Sequence, residues 1–123
     1  MLFRSDFHGG RNSAVSHGPR TNLSSYAHRE SLWLIQFYDR VFAGAYPETG
    51  FGFLDGWVAN VTRPLARDDW GMYINYADSR LSRDDAMQNY WGRNLGRLQA
   101  LKADVDKDQR FYYPQAFPPA TSP

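Results

Sequence analysis

The stretch WGMYINYAD, residues 70–78, contains the pattern that decides the fold of this chain. Large apolar side chains at Trp70, Met72 and Ile74 alternate with smaller or more polar residues. An alternation of period two is typical of a β-strand whose two faces have different surroundings. The pattern therefore predicts a strand over residues 70–75, which ends at the sequence of residues 77–79.

A long helix is predicted after this strand. Ser82 and Asp85 have the spacing of a capping box, and acidic residues in a first helical turn interact favourably with the helix dipole. Apolar side chains then recur at steps of three and four residues, at Met87, Trp91, Leu95, Leu98, Leu101 and Val105. We expect one helix up to Val105, followed by an extended, proline-rich tail.

The first half of the chain predicts the rest of the fold. Residues 3–23 are rich in Gly, Ser, Asn and Arg and predict short strands joined by turns, one of them at Gly9-Gly10. Residues 32–38 are apolar on both faces, which is typical of a central, covered strand. Residues 50–66 predict a helix that Pro64 ends or kinks. Together these elements predict an α+β domain, with two main helices covering one face of a mostly antiparallel sheet.

Composition excludes several classes of function. A chain of 123 residues with a formal net charge of +1 has the size of one domain and lacks the basic surplus of a nucleic-acid-binding surface. It contains no Cys, and its three His residues lack the short spacing of metal ligands, so no metal site is expected. No apolar run is long enough to span a membrane and no signal peptide is visible, so no membrane partner is expected and the localisation stays open.

Asn94 interrupts the apolar stripe of the predicted helix. A buried amide without a hydrogen-bond partner costs about 1–3 kcal/mol. The pattern leaves two alternatives for this side chain: a structural hydrogen bond within the protein, which is the commoner case, or a contact with a ligand.

Tyr73 and Asn75 share one face of the predicted strand. A phenol and an amide side by side can hold a flat heteroaromatic ring by stacking and hydrogen bonding. The alternative is a sheet face that packs on a helix. Tyr76 lies where the strand ends, so alternation does not fix its direction, and a tyrosine in such a position is usually a surface residue.

Three ordered blocks of this sequence resemble a known family. They are Tyr73-x-Asn75-Tyr76-x-Asp78, Tyr90-Trp91-Gly92-x-Asn94-Leu95-x-Arg97-Leu98-x-x-x-Lys102, and Phe111-x-x-Pro114-Gln115. Their order and spacing resemble the C-terminal segment of the berberine-bridge-enzyme-like FAD-linked oxidoreductases, a family of the vanillyl-alcohol-oxidase (PCMH) type superfamily. Two upstream blocks, His8-Gly9-Gly10 and Tyr26-Ala27-His28-Arg29, resemble the fungal-type members.

The resemblance implies a domain organisation and a reaction. The single domain of residues 1–123 would be part of the substrate domain of a flavin oxidase. Residues 1–69 would form the C-terminal part of that domain, residues 70–117 the berberine-bridge-like segment, and residues 118–123 a flexible tail. The reaction implied is the oxygen-dependent oxidation of a secondary metabolite.

The resemblance also implies site residues. Tyr73 and Asn75 would lie beside the isoalloxazine ring of FAD, and Asn94 would support that ring from the last helix. Tyr76 matches the tyrosine that serves as the catalytic base in some members, while other members place the base on an upstream carboxylate or tyrosine.

Some parts of the family pattern are missing. Lys107 stands where the family usually has Pro, and Ala116 where it usually has a small polar residue. The FAD-binding domain, with its Gly-rich pyrophosphate loops, does not occur in these residues. The expected partners are FAD, a small-molecule substrate, and either a flavin-binding half or a second copy of the chain. The alternative function is a non-catalytic remnant that binds a small molecule or a protein, and the third reading is an unrelated small α+β domain.

Overall fold

A computed structural model describes residues 2–18 and 23–121 and has the α+β architecture that the sequence predicts. Strand β1, Leu2–Phe7, pairs antiparallel with strand β2, Trp33–Tyr38, in a two-stranded sheet. The register places Phe3 opposite Phe37. The predicted mixture of helices with an antiparallel sheet is therefore confirmed.

The segment between the two strands turns the chain back on itself. Gly9 and Gly10 have φ angles of 91° and 67°, a region that favours glycine because it carries no Cβ. The predicted turn at these residues is confirmed. It is followed by a 3-10 turn, Gly10–Asn12, and by a short helix α1, Ala14–His17, in place of further strands.

Strand β2 is correctly predicted, but its surroundings differ from the prediction. In the described part of the chain it pairs with β1 alone, so it is not a central strand. Trp33 at its start is 52% exposed. Helix α2, Glu48–Thr62, packs on one face of the sheet, where the Phe37 and Trp57 rings stack with centroids 5.7 Å apart. This helix ends before Pro64, as expected for a residue that lacks a backbone N–H.

The predicted strand over residues 70–75 is wrong. The backbone is extended at Trp70 and Tyr73, but a 3-10 turn, Ile74–Tyr76, follows at once. The Met72 N–H donates to the Asn89 carbonyl at 2.9 Å, so a helical residue takes the place of a neighbouring strand. Alternation reports two different surroundings for the two sides of an extended segment, and it cannot report that a strand partner is lacking.

The predicted single helix over residues 82–105 is broken into two. Helix α3, Arg83–Trp91, is followed by a 3-10 turn, Gly92–Asn94, and then by helix α4, Leu95–Val105. Gly92 has φ 42° and ψ −123°, which no helical residue adopts. The predicted cap is confirmed, because the Ser82 hydroxyl accepts a hydrogen bond from the Asp85 N–H at 3.1 Å.

The core lies between α3, α4 and the chain that follows them. Its buried residues are Ala86, Asn89, Tyr90, Leu98, Lys102, Gln115 and Ala116. The Tyr90 hydroxyl accepts from the Asp78 N–H at 3.0 Å and donates to Gln115, whose amide donates to the Asp78 carbonyl at 2.6 Å. The tail therefore closes the core. Further along, the Ala120 N–H donates to the Gln99 carbonyl at 3.0 Å. The boundary at residue 118 stays a prediction.

No helix among residues 2–18 and 23–121 is long and apolar enough to cross a membrane.

Candidate functional site

Tyr73, Asn75 and Tyr76 form a cluster at the surface of the molecule. The Asn75 side-chain Nδ2 donates to the Tyr73 hydroxyl at 2.6 Å. The rings of Tyr73 and Tyr76 meet edge to face, with centroids 5.3 Å apart and an interplanar angle of 86°. The 3-10 turn causes this arrangement, because the Tyr76 N–H donates to the Tyr73 carbonyl at 2.8 Å and so turns the side chains toward one another. The cluster presents a phenol, an amide and a second phenol.

Strand β1 brings charge to this cluster. The Arg4 guanidinium forms an ion pair with Asp6, with an Nε–Oδ2 distance of 3.0 Å. The hydrogen bond that Arg4 donates to Asp6 raises the pKa of Arg4, and the nearby Tyr76 adds to the same effect. Arg4 and Asp6 are two residues apart and so lie on one face of the strand. A charged pair at alternate positions of a strand was a signal in the sequence that could have identified them.

Tyr26 connects the cluster to the interior. Its ring meets that of Tyr73 edge to face, with centroids 6.0 Å apart. Its hydroxyl lies 3.2 Å from Nδ1 of His8, within hydrogen-bond distance. Burial raises the pKa of Tyr26, so its phenol stays protonated over the ordinary pH range. The sequence analysis named this residue within a family block and gave it no role.

The Asn94 side chain forms its hydrogen bond outside the Tyr73–Asn75–Tyr76 cluster. Its side-chain Nδ2 donates to the Ser25 carbonyl at 3.0 Å. The residue belongs to the 3-10 turn between α3 and α4, and it is half-buried instead of buried as the helical stripe predicted. The geometry agrees with the structural alternative for its amide, and its role beside a flavin stays a prediction.

A separate cleft of about 470 Å³ is lined, among others, by His28, Trp70 and Gln88. Its cations are bound by the chain itself. Arg11 pairs with Glu30 at 3.0 Å, and Arg67 donates to the Asn89 amide oxygen at 2.8 Å. Within the described residues, no group of three or more acidic, His or Cys side chains is placed to hold a metal ion. Because these arginines already have partners within the chain, they are less available to a ligand. The Tyr73–Asn75–Tyr76 cluster is therefore the stronger candidate site.

Comparisons with known proteins agree with the family resemblance. The sequence model of the family "Berberine and berberine like" matches residues 72–118. The chain is 56% identical over 119 residues to a carbohydrate oxidase of Microdochium nivale, covering 96% of this chain and 24% of that protein. It is 50% identical over 118 residues to a xylooligosaccharide oxidase of Thermothelomyces thermophilus, covering 94% and 23%.

The fold agrees as well. A solved structure of glucooligosaccharide oxidase from Acremonium strictum, which carries a 6-S-cysteinyl, 8α-N1-histidyl FAD, matches with a TM-score of 0.85 and 40% identity. The match covers 98% of this chain and 26% of the other. The chain thus spans about a quarter of the length of the relatives that it matches.

The described residues fit one part of an FAD molecule better than another. The exposed phenol and amide of the cluster suit the edge of a flat ring with hydrogen-bonding groups. A pyrophosphate is usually held by backbone N–H groups of a Gly-rich turn at the start of a helix, and the longer helices α2 and α3 begin without such a turn. The family match over residues 72–118, the identity over nearly the whole chain and the shared fold show that this chain contains a berberine-like C-terminal segment, similar to that of the oxidases compared above.

Proposed function

We propose that this chain is the substrate-side, C-terminal segment of an FAD-linked oxidase whose substrate is an oligosaccharide. The observation that carries the proposal is the Tyr73–Asn75–Tyr76 cluster, exposed at the surface of a chain that is 56% identical to a carbohydrate oxidase. The names of the relatives favour a carbohydrate over the secondary metabolite that the family resemblance alone suggested.

The residues of the cluster have distinct roles in this proposal. FAD, when bound, would supply a two-electron acceptor for the oxidation of the sugar, with molecular oxygen as the final acceptor. Tyr73 and Asn75 hold the edge of the flavin ring, with the phenol oriented by the amide. Tyr76, 39% exposed and acting as its phenolate, takes the proton from the sugar hydroxyl and becomes the neutral phenol. Arg4 of strand β1 lies near enough to Tyr76 for the two groups to interact electrostatically.

The proposal includes a flavin-binding half as partner, joined in one polypeptide or supplied by another. Its support is the length of the relatives, of which this chain covers about a quarter. A second support is the part of the sheet face that α2 leaves uncovered, where Phe3 and Phe7 are 63% and 65% exposed. Apolar side chains exposed in this way mark surfaces that pack against other protein. A second copy of the chain is the other candidate occupant of this face.

A non-catalytic binding module remains the second candidate function. It is favoured by the core around Tyr90, which closes within the described residues without help from another domain. A segment with such a core is able to persist as a folded protein after the loss of catalysis. The two candidates differ in whether the chain completes an active oxidase.

A chimera tests the proposed function. This chain replaces the matching quarter of the Microdochium nivale carbohydrate oxidase, and hydrogen peroxide production is measured with cellobiose. We expect a yellow protein that keeps its flavin through gel filtration and oxidises the sugar. We expect Tyr76→Phe to keep the flavin and lose activity by about 100-fold or more. A yellow, folded but inactive chimera favours the binding module, and full activity of Tyr76→Phe would show that this residue is not the base.

A further inference from the structure

We propose that Tyr26 is a positioning residue, which holds the ring of Tyr73 and through it the hydrogen bond from Asn75. The geometric part of the proposal, that Tyr26 holds the Tyr73 ring in place, concerns this chain alone. The consequence for turnover rests on the proposed function. The proposal assigns a role to Tyr26 and to His8.

The surroundings of Tyr26 fix its ring on several sides. Besides Tyr73, it meets the His28 ring edge to face, with centroids 5.7 Å apart and an interplanar angle of 86°. The His8 ring lies at 6.3 Å and 66°, and the Arg29 guanidinium carbon lies 5.9 Å from the ring centroid. Edge-to-face pairs are a preferred arrangement of aromatic rings, and each is worth about 0.5–1.5 kcal/mol beyond its buried area. A ring with this many neighbours has little freedom to rotate away.

The hydroxyl of Tyr26 is anchored to the sheet through His8. His8 follows strand β1, and its N–H donates to the Leu32 carbonyl next to strand β2 at 2.9 Å. The Tyr26 hydroxyl lies 3.2 Å from His8 Nδ1, and burial keeps that phenol protonated, so it has a hydrogen to donate. The turn at Gly9 and Gly10 directs the chain away after His8. The sheet therefore determines where the Tyr26 ring lies.

Tyr73 needs this support because its own segment is irregular. Its backbone lies between the extended residues before it and the 3-10 turn Ile74–Tyr76. Its two ring neighbours among the described residues are Tyr26, which is half-buried, and Tyr76, which is 39% exposed. The inner side of Tyr73 therefore rests on Tyr26. Loss of the Tyr26 ring leaves Tyr73 free to change rotamer, which breaks the 2.6 Å bond from Asn75.

Nuclear magnetic resonance of the isolated chain tests the geometric part without any flavin. The measured signal is the nuclear Overhauser effect between the Tyr73 ring protons and the Asn75 side-chain amide. We expect Tyr26→Leu to abolish it and Tyr26→Phe, which keeps the ring but loses the bond to His8, to weaken it. The matched control is Tyr46→Leu, because Tyr46 packs on Phe51 elsewhere in the chain, with centroids 4.9 Å apart.

An unchanged Overhauser effect in folded Tyr26→Leu would overturn the proposal. If that variant fails to fold, Tyr26→Phe decides alone, since an unchanged signal there shows that the anchor on His8 does not position Tyr73. In the chimera, Tyr26→Leu should lower kcat/KM by about tenfold or more, as expected for misplaced groups, with little loss in Tyr46→Leu. If the chimera is inactive, the proposed function is contradicted. The nuclear Overhauser measurement on the isolated chain still tests whether Tyr26 positions Tyr73.

Discussion

Asn75 donates from its side chain to the Tyr73 hydroxyl at 2.6 Å, across a backbone that is not a strand. The two side chains lie together because the chain enters a 3-10 turn between them. A donor fixed on the phenol oxygen leaves the phenol hydrogen free to bond to a further acceptor. The pair therefore offers a directed donor to whatever lies against this surface.

Removal of this hydrogen bond should affect activity far more than stability. Asn75 is exposed, and a partly exposed hydrogen bond contributes about 1 kcal/mol or less. We expect Asn75→Ala to leave the Tm of the isolated chain nearly unchanged and to lower kcat/KM of the chimera by about tenfold or more. The control is Asn60→Ala, since Asn60 makes a comparable exposed bond to Gly56 on α2. Equal activity in the two variants would contradict a role for Asn75.

Gly92 should tolerate no side chain, whereas Gly96 should benefit from one. Gly92 has φ 42° and ψ −123°, and a residue with a Cβ in such a region costs about 1–3 kcal/mol. The strain is conformational, because an added Cβ would lie at an ordinary 3.9 Å from Ala27. Gly96 is in α4 with open space around it, so Gly96→Ala should stabilise by about 0.5 kcal/mol.

Chemical denaturation of the two glycine variants checks this prediction. A lower free energy of unfolding in Gly92→Ala and a higher one in Gly96→Ala is the expected pair of results. A neutral Gly92→Ala would mean that α3 and α4 can join as the continuous helix that the sequence pattern predicted.

The glycine at residue 92 also shows what the sequence could and could not predict. Helix α2 and the cap at Ser82 were predictable, because periodic apolar residues and a capping box are local signals. The break at Gly92 was not predictable, because a single 3-10 turn barely changes the spacing of apolar residues at every third or fourth position. The strand over residues 70–75 failed for a related reason: an extended segment packed on His28 and Asn89 alternates as a strand does.

The proximity of the three clustered side chains was predictable from the sequence, whereas their geometry was not. Tyr73, Asn75 and Tyr76 are neighbours in sequence, so their proximity follows from the chain itself. Tyr26 and Arg4 reach the same place from distant parts of the sequence, and only the fold brings them there. Lys102 was noted solely as part of a family block, yet it is one of the most buried charged side chains, because Asp106 and the Phe111 carbonyl both bind its ammonium group at 2.9 Å.

Lys102→Met should destabilise the chain through Asp106. The Lys102 hydrogen bond is the main cause that lowers the pKa of Asp106, with the N–H groups of Arg110 and Phe111 adding to it. A lowered carboxyl pKa contributes stability above the unfolded value of about 4, and this contribution is lost as the pH falls toward the folded value. We expect Lys102→Met to lower Tm by several degrees at neutral pH and by much less below about pH 3.

The control for this variant is Lys107→Met, because Lys107 is an exposed lysine in the same part of the chain. Its Tm should stay close to that of the unaltered chain at both pH values. A Tm difference for Lys102→Met that does not change between neutral and acid pH would show that packing, and not the ion pair, accounts for the loss.

His28 should make the fold sensitive to mild acid. Burial is the main cause that lowers its pKa below the ordinary value of 6.5, and it outweighs the opposing effect of the backbone groups of Met72, Asn89 and Tyr90. A lowered histidine pKa means that the unfolded chain binds the proton more readily, so stability is present above about pH 6.5 and falls below it. The ring lies directly against Gly71, and its Nε2 is buried without a hydrogen-bond partner, so a charged imidazolium is poorly accommodated there.

Between about pH 7.5 and 5.5, the fall in Tm should be smaller in His28→Gln than in the unaltered chain. The exposed His17 provides the comparison, and a His17→Gln variant that flattens the profile as much as His28→Gln would assign the pH dependence to histidine content in general and not to the buried ring.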